Sequence, residues 1–380
     1  MKYYIIAGEA SGDLHGSNLI KSLKKKDEKA EFRFFGGDLM QKEGRNLVKH
    51  YREMAFMGFV NVILNSRTIL HNLRFCKDDI ISYAPDVVIL IDYAGFNLKI
   101  AKFVKTKMTI PVFYYIPPKI WAWKEHRIKA IKRYVDNVYT IFPFESNFYA
   151  KHNYKVNYVG NPSVQSVNQR ICKGELRSDF LQQNNLSDKK IVVLLAGSRK
   201  QEIVSTLPIF MNIDFSLFQA EYQFVVAGTA SMSPEIYTDI VGDRNVSIVY
   251  GKTYELLQQA DFALVNSGTA TLETALFHVP QVVCYQMFMG RLFYPFVKHV
   301  LKTRFVSLVN IIAQKEVVKE LLAYNFTAKN VQKELSRLIY DAEYRNNILN
   351  EYTEIEKNLG NTVASDTAAD LMIKNLQSDK

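Results

Sequence analysis

The sequence predicts an α/β protein of two domains, each a parallel sheet with helices on both faces, and three observations carry that prediction. Short apolar runs recur with helix-patterned stretches between them, the series restarts near the middle of the chain, and several runs end in a glycine-bearing turn that opens a helix. Alternation of strand and helix demands parallel pairing, because each return crossover lays a helix on the sheet.

Residues 3–7, 32–35, 87–91, 112–116 and 138–141 read as buried strands: they are short, β-branched or aromatic, and bounded by turn residues. Between them, stretches such as 17–25 and 97–107 repeat apolar residues at helical spacing. A second strand series follows at 191–195, 223–227, 246–250, 262–265 and 282–285. The polar segment 173–190, with Gln182-Gln183-Asn184-Asn185, reads as a linker or domain edge. Residues 330–380 are helical and charged, without a strand signal. The expected organisation is two Rossmann-like halves facing across a cleft, residues 1–170 and 171–350, with helices of 351–380 packing back on the body.

Composition narrows the function. Of the 380 residues 48% are hydrophobic and 23% charged, a folded globular balance, and the length exceeds one ordinary core. The net charge of +10 favours anionic partners, and no RNA-binding signature, zinc-finger spacing or arginine-rich arm points to nucleic acid. Phosphorylated metabolites and anionic membrane remain. Cys76, Cys172 and Cys284 are few, odd in number and far apart, as in a reducing compartment. The N-terminus lacks a secretory pattern and no apolar run reaches the ~18–20 residues that span a bilayer. The expected location is cytoplasmic, with membrane contact left open.

Four turns could carry chemistry. The first strand ends in Gly8-Glu9-Ala10-Ser11-Gly12-Asp13-Leu14-His15, where a glycine turn admits a ligand to backbone N–H groups. Glu9, Asp13 and His15 then stand where α/β sheets place their sites; alternatively Ser11 or Asp13 caps the helix. The third run ends in Asp92-Tyr93-Ala94-Gly95-Phe96-Asn97. Asp92 could act as general base there, with Asn97 the better candidate for helix cap. In the second half, Gly197-Ser198-Arg199 could grip a diphosphate, with Ser198 and Gln201 as a capping box. Ser267-Gly268-Thr269 offers small donors to phosphate, and Glu273, one helical turn on, can accept both hydroxyls of a ribose. That last arrangement is the most specific sign of a nucleotide-diphosphate sugar.

Other segments suit a lipid. Pro117-Pro118-Lys119-Ile120-Trp121-Ala122-Trp123-Lys124 holds both tryptophans, and Arg127, Lys129, Lys132 and Arg133 follow. Rings beside cations fit a phosphorylated amphiphile, although an amphipathic helix with a solvated basic face is the better account of Lys129 and Lys132 individually. Residues 54–64 and 288–298 mix rings, aliphatics and cations and read as interfacial patches or as core helix.

In combination these motifs resemble the lipid A disaccharide synthase family of inverting glycosyltransferases. The likeness rests on Gly8-Glu9-Ala10-Ser11-Gly12-Asp13, Trp121-Ala122-Trp123, Gly197-Ser198-Arg199 with Glu202, and Ser267-Gly268-Thr269-Ala270 with Glu273. Residues 307–312 and 316–321 look like the family's late motif. The resemblance implies a GT-B fold, UDP-2,3-diacylglucosamine as donor and 2,3-diacylglucosamine 1-phosphate (lipid X) as acceptor. It implies no metal and no cofactor, work at the cytoplasmic face of the inner membrane as a peripheral protein, and a homodimer. By similarity Ser198, Arg199, Ser267, Gly268, Thr269 and Glu273 would bind UDP, and Asn310 and Glu316 would line the donor site. Glu9, Ser11, Gly12 and Asp13 would line the acceptor side, with Asn97, Trp121 and Trp123. Many members carry D-x-x-D-F-N at the third strand's end, but Gly95 replaces the second acid here. The base is therefore sought among Asp92, Glu9 and Asp13. Two other readings stand beside this one: another GT-B UDP-sugar enzyme such as a UDP-N-acetylglucosamine 2-epimerase, and a non-catalytic peripheral lipid-binding protein.

Overall fold

A computed structural model describes residues 1–54, 66–171, 173–286 and 304–378. The expected interfacial patches at 54–64 and 288–298 lie almost wholly outside these residues. The chain divides into two compact units, residues 1–162 with 361–380, and residues 163–360.

The first unit is built on a seven-stranded sheet in the order β3-β2-β1-β4-β5-β6-β7. Its strands are β1 (Lys2–Ala7), β2 (Glu31–Gly36), β3 (Asn46–His50), β4 (Val87–Ile91), β5 (Val112–Tyr115), β6 (Asn137–Thr140) and β7 (Asn157–Tyr158), and every pairing is parallel. Helices cover both faces, so strands such as Val87–Ile91 are buried along their whole length. One face packs Tyr3, Ile5, Phe34 and Ile89 with Leu19 and Ile20; the other packs Tyr4, Ile6, Val88 and Leu90 with Ile80 and Ile100. The last helix, Ala364–Ser378, completes the first of these layers with Ala364, Ala368, Ala369 and Met372. Alanines at that spacing leave no side-chain bulk between this helix and the body.

In the second unit a six-stranded parallel sheet runs β10-β9-β8-β11-β12-β13. Here β8 is Lys190–Leu195, β9 Tyr222–Gly228, β10 Val246–Tyr250, β11 Phe262–Asn266, β12 Gln281–Tyr285 and β13 Glu320–Leu322. The polar segment 173–190 is not a linker. It contains the helix Arg177–Gln183, whose Phe180 and Leu181 are buried in the core with Ile191, Val193 and Leu257. Two apolar residues suffice to anchor seven otherwise polar ones. The chain crosses between units near 162 and 360, and helix Pro162–Ile171 goes mostly with the second unit.

Both sheets share a topological feature that locates the site. In each, chain order reverses beside the first strand, between β1 and β4 in one unit and between β8 and β11 in the other. Crossovers leave in opposite directions at such a point and open a crevice at the carboxyl ends of the two strands.

Candidate active site

At the first unit's reversal, Ala7 pairs with Ile91, so Gly8 and Asp92 follow on adjacent strands. A Cβ on Gly8 would stand 2.3 Å from the Tyr93 ring; only glycine lets these turns meet. Three non-glycine residues here are left-handed: Asp92 (φ 43°), Tyr93 (φ 47°) and Ile116 (φ 56°). Each costs on the order of 1 kcal/mol or more and needs its surroundings to hold it. Tyr114 Oη donates to the Asp92 carbonyl at 2.6 Å and Tyr93 Oη to the Met54 carbonyl at 2.7 Å. Asn97 Nδ2 donates to the carbonyls of Asp92 (2.8 Å) and Ile91 (3.1 Å). Asn97 is thus fully buried and clamps the strand end, and it does not cap its helix.

The acids of this region separate by environment. Asp13 is buried, and its two oxygens accept the N–H groups of Gly37 (2.7 Å), Leu39 (3.0 Å) and Met40 (3.0 Å). It ties the first helix to the turn after β2, which removes it from the candidate bases. Asp92 is half-buried; burial raises its carboxyl above the ordinary range while the Lys119 cation opposes the rise. A base in that state has gained proton affinity without losing its charge partner. Glu9 precedes the helix Ala10–Lys24, and its charge acts on the Tyr93 phenol. Burial lowers His15 to about 4, which leaves its ring neutral near pH 7. Ser11 is exposed and Gly12 is buried against Ala7.

The two tryptophans do different things. Trp121 is buried, its Nε1 donates to Glu145 Oε1 at 3.1 Å, and its ring meets Phe142 and Phe144 edge-on. Glu145 also accepts from Ile141 N and Phe142 N, yet burial raises its carboxyl to about 7. Trp121 is therefore a structural anchor. Trp123 is 46% exposed with the Lys124 ammonium 4.2 Å from its ring, and it is the tryptophan open to a ligand.

At the second unit's reversal, Leu195 pairs with Val265, which sets the turn at 196–199 beside the turn at 266–269. Gly197 has φ +122°, and a Cβ there would lie 2.5 Å from the Cβ of Glu202. Glu202 Oε2 accepts from Ser198 N (2.9 Å) and Arg199 N (3.3 Å). The residue capping the start of the helix Lys200–Met211 is thus Glu202, one position beyond the expected Gln201. The exposed Arg199 guanidinium lies 3.4 Å from the same carboxylate. Ser267 donates through N to the Cys284 carbonyl (2.8 Å) and through Oγ to the Val306 carbonyl (3.2 Å), while Gly268 and Thr269 are exposed.

Glu273 stands one turn into the helix Ala270–Leu276, and burial raises its carboxyl. The Tyr254 phenol opposes that rise, and its ring packs edge-on against Phe277, one turn beyond Glu273, a neighbour the sequence reading missed. Asn310, expected to face a donor, is fully buried and internally satisfied. Its Oδ1 accepts from Val317 N and Val318 N, and its Nδ2 donates to the Val318 carbonyl and to Glu320. It shapes the loop that carries Glu316, which is exposed and paired with Lys319 at 3.1 Å. Glu320, unnoticed in the sequence, gathers Val306 N, Ser307 N, Ser307 Oγ and Asn310 in one place. Its signal was the late motif itself, read there only as a run.

Two doubly wound units with strand–glycine–helix turns at both reversals define a protein of the GT-B fold. Solved structures agree. The UDP-GlcNAc 2-epimerase of Neisseria meningitidis bound to UDP-GlcNAc aligns over 100% of both chains with a TM-score of 0.67 at 13% identity. That of Methanocaldococcus jannaschii, in complex with UDP-GlcNAc and UDP, covers 98% of this chain and 100% of its own with a TM-score of 0.62, also at 13% identity. At such identities the likeness concerns fold. Sequence decides the rest: the chain belongs to the lipid-A-disaccharide synthetase family, whose model matches residues 3–372. Lipid-A-disaccharide synthase 1 of Legionella pneumophila is 31% identical over 376 residues, 98% of this chain and 97% of that one. The lipid-A-disaccharide synthase of Syntrophus aciditrophicus is 34% identical over 371 residues, 96% and 95%. The protein is a UDP-sugar glycosyltransferase of lipid A biosynthesis. Among the described residues no helix is long and apolar enough to cross a membrane.

Proposed function

We propose that the enzyme condenses UDP-2,3-diacylglucosamine with 2,3-diacylglucosamine 1-phosphate, giving a β(1→6)-linked disaccharide 1-phosphate and UDP. Asp92 takes the proton of the acceptor 6-hydroxyl as that oxygen attacks the anomeric carbon. The carbon–oxygen bond to the diphosphate breaks on the opposite face, and its electron pair leaves with UDP. Arg199 and the donors of the 267–269 turn stabilise the charge that grows on the leaving group. Glu273 accepts the ribose hydroxyls. Glu9 and Trp123 belong to the acceptor side, with Glu9 the alternative base, and Glu316 belongs to the donor side.

The observation that carries this reading is Asp92, which combines partial burial, raised proton affinity and the opposing charge of the Lys119 cation. Asp13 is consumed by three N–H donors. Incubating the purified enzyme with both acylated glucosamines should yield disaccharide 1-phosphate and UDP in equal amounts. UDP release that does not need the acceptor would refute the reaction.

A peripheral position on the cytoplasmic face of the inner membrane fits a groove of about 630 Å³ between the helices Ser66–Tyr83 and Ala94–Lys107. Exposed Leu70 and half-buried Phe103 floor it, and Arg74, Lys77, Lys99 and Lys102 rim it. Apolar floor and cationic rim match an anionic lipid surface. A homodimer joined through the C-terminal half is added from the family resemblance.

A further inference from the structure

We propose that Trp121, held by Glu145, is a positioning residue for the acceptor: it fixes the loop on which Trp123, with Lys124 and Arg127, receives the acceptor's phosphorylated sugar head. The inference rests on the acceptor-side reading of Trp123 and adds the groups that set its place and its ligand chemistry.

The loop leaves β5 at left-handed Ile116 (φ 56°) and turns again at left-handed Lys124 (φ 55°). Between them Pro117 and Pro118 fix two backbone torsions. Short turns then close from Ile120 N to the Pro118 carbonyl (2.6 Å) and from Ala122 N to the Lys119 carbonyl (3.0 Å). Those bonds shape the loop from within, and Ile120 adds apolar burial. Trp121 supplies a directional tie to the body, since its Nε1 donates to Glu145 Oε1 at 3.1 Å. Glu145 is fixed in turn, because Oε2 accepts Phe142 N (3.0 Å) at the start of the helix Pro143–Ala150. The indole also meets the stacked rings of Phe142 and Phe144 edge-on, with centroids 6.4 and 5.0 Å away. One hydrogen bond and two rings set its rotation as well as its place.

Trp123 lies two residues further on, and two residues span at most about 7 Å of chain. A displacement of Trp121 is therefore passed to Trp123 with little loss. The exposed Trp123 ring has Lys124 Nζ 4.2 Å and the Arg127 guanidinium 6.0 Å from its centroid. Among the described residues neither cation has a carboxylate within ion-pair distance, and Glu125 between them pairs with His152 at 3.0 Å. An open indole suits the C–H face of a pyranose, and two unpaired cations beside it suit a phosphate. A phosphorylated sugar presents both features at once. Holding the ring before the ligand arrives reduces the ordering that binding must impose.

Steady-state kinetics of the full enzyme, with each acylated glucosamine varied in turn, separate positioning from folding. Trp123→Ala should raise the acceptor KM about tenfold and leave the donor KM within about twofold. Trp121→Phe keeps an aromatic ring and loses the N–H; it should raise the acceptor KM roughly fivefold, with the donor KM again within about twofold. Glu145→Asp, which draws the carboxylate back by one methylene, should repeat that split. Because Trp121 acts through Trp123, the Trp121→Phe/Trp123→Ala enzyme should match Trp123→Ala within about twofold. Lys124→Gln should raise KM about fivefold for the 1-phosphorylated acceptor and less than about twofold for its dephosphorylated analogue. If Trp121→Phe or Glu145→Asp raises both KM values equally, or neither, or if the two tryptophan substitutions add in full, the positioning role is overturned. Equal effects of Lys124→Gln on the two acceptors would overturn the phosphate contact. If Trp123→Ala leaves the acceptor KM unchanged, the acceptor-side reading beneath the proposal fails instead. Thermal unfolding of each variant shows that the comparison is made on folded protein.

Discussion

The two chain reversals solve opposite problems with the same topology. At the first, three left-handed residues and a glycine packed on a tyrosine ring hold Asp92 half-buried. At the second, Gly268 and Thr269 are exposed, Arg199 is exposed, and the Glu273 carboxylate stands one turn into a helix. The first reversal spends backbone strain to place an acid; the second offers open donors to an anion. A proton acceptor gains from desolvation, which raises its affinity for the proton, whereas a diphosphate site gains from many unstrained N–H and O–H groups. Under the proposed mechanism this contrast divides the labour of the reaction.

The sharpest way to break that division is Asp92→Asn. The amide keeps the shape but cannot take a proton, so turnover should fall by roughly 10²–10⁴-fold, the usual worth of a general base. Donor KM should barely move. Gly95 offers a second arm, because a Cβ there meets nothing within 4 Å. Gly95→Asp on the Asp92→Asn background should recover part of the lost turnover if removal of a proton is what was lost.

Glu145 sharpens the contrast by pH, since it is an acid buried for structure. Burial holds its carboxyl near 7 against an ordinary 4.5. A raised folded value means that the stabilisation is full below about 4.5 and is lost as pH rises through about 7; the shift corresponds to about 3 kcal/mol. Denaturant midpoints measured across that window should fall with rising pH. Glu145→Gln, neutral throughout, should flatten the slope; an unchanged slope would place its origin elsewhere. Asp13 is the smaller structural case. Asp13→Ala leaves three N–H groups without their acceptor and should lower stability by about 2 kcal/mol, with UDP affinity of the folded fraction unchanged.

These cases also show what was legible in the sequence. Strand and helix periods and glycine turns are local properties, and the strands at 3–7, 87–91, 191–195 and 262–265 were read directly from them. Short strands such as Asn157–Tyr158 and Glu320–Leu322 were missed, because two or three residues carry no period. The site was harder to read than the fold. Asp13, Asn97, Trp121 and Asn310 have the chemistry of ligand-binding groups, and each gives hydrogen bonds to, or accepts them from, partners within the protein. For Asp13 those partners lie 24 to 27 residues away, and for Trp121 the partner lies 24 away, distances at which sequence alone shows no pairing.

The division of labour is tested most directly by the UDP affinity of two variants, Asp92→Asn and Glu273→Ala, titrated side by side with the unsubstituted enzyme. The account predicts that Asp92→Asn binds UDP within about twofold of the original while Glu273→Ala binds it about 10–100-fold more weakly, the worth of a charged hydrogen-bonding pair. Equal weakening in both variants, or none in Glu273→Ala, would contradict it.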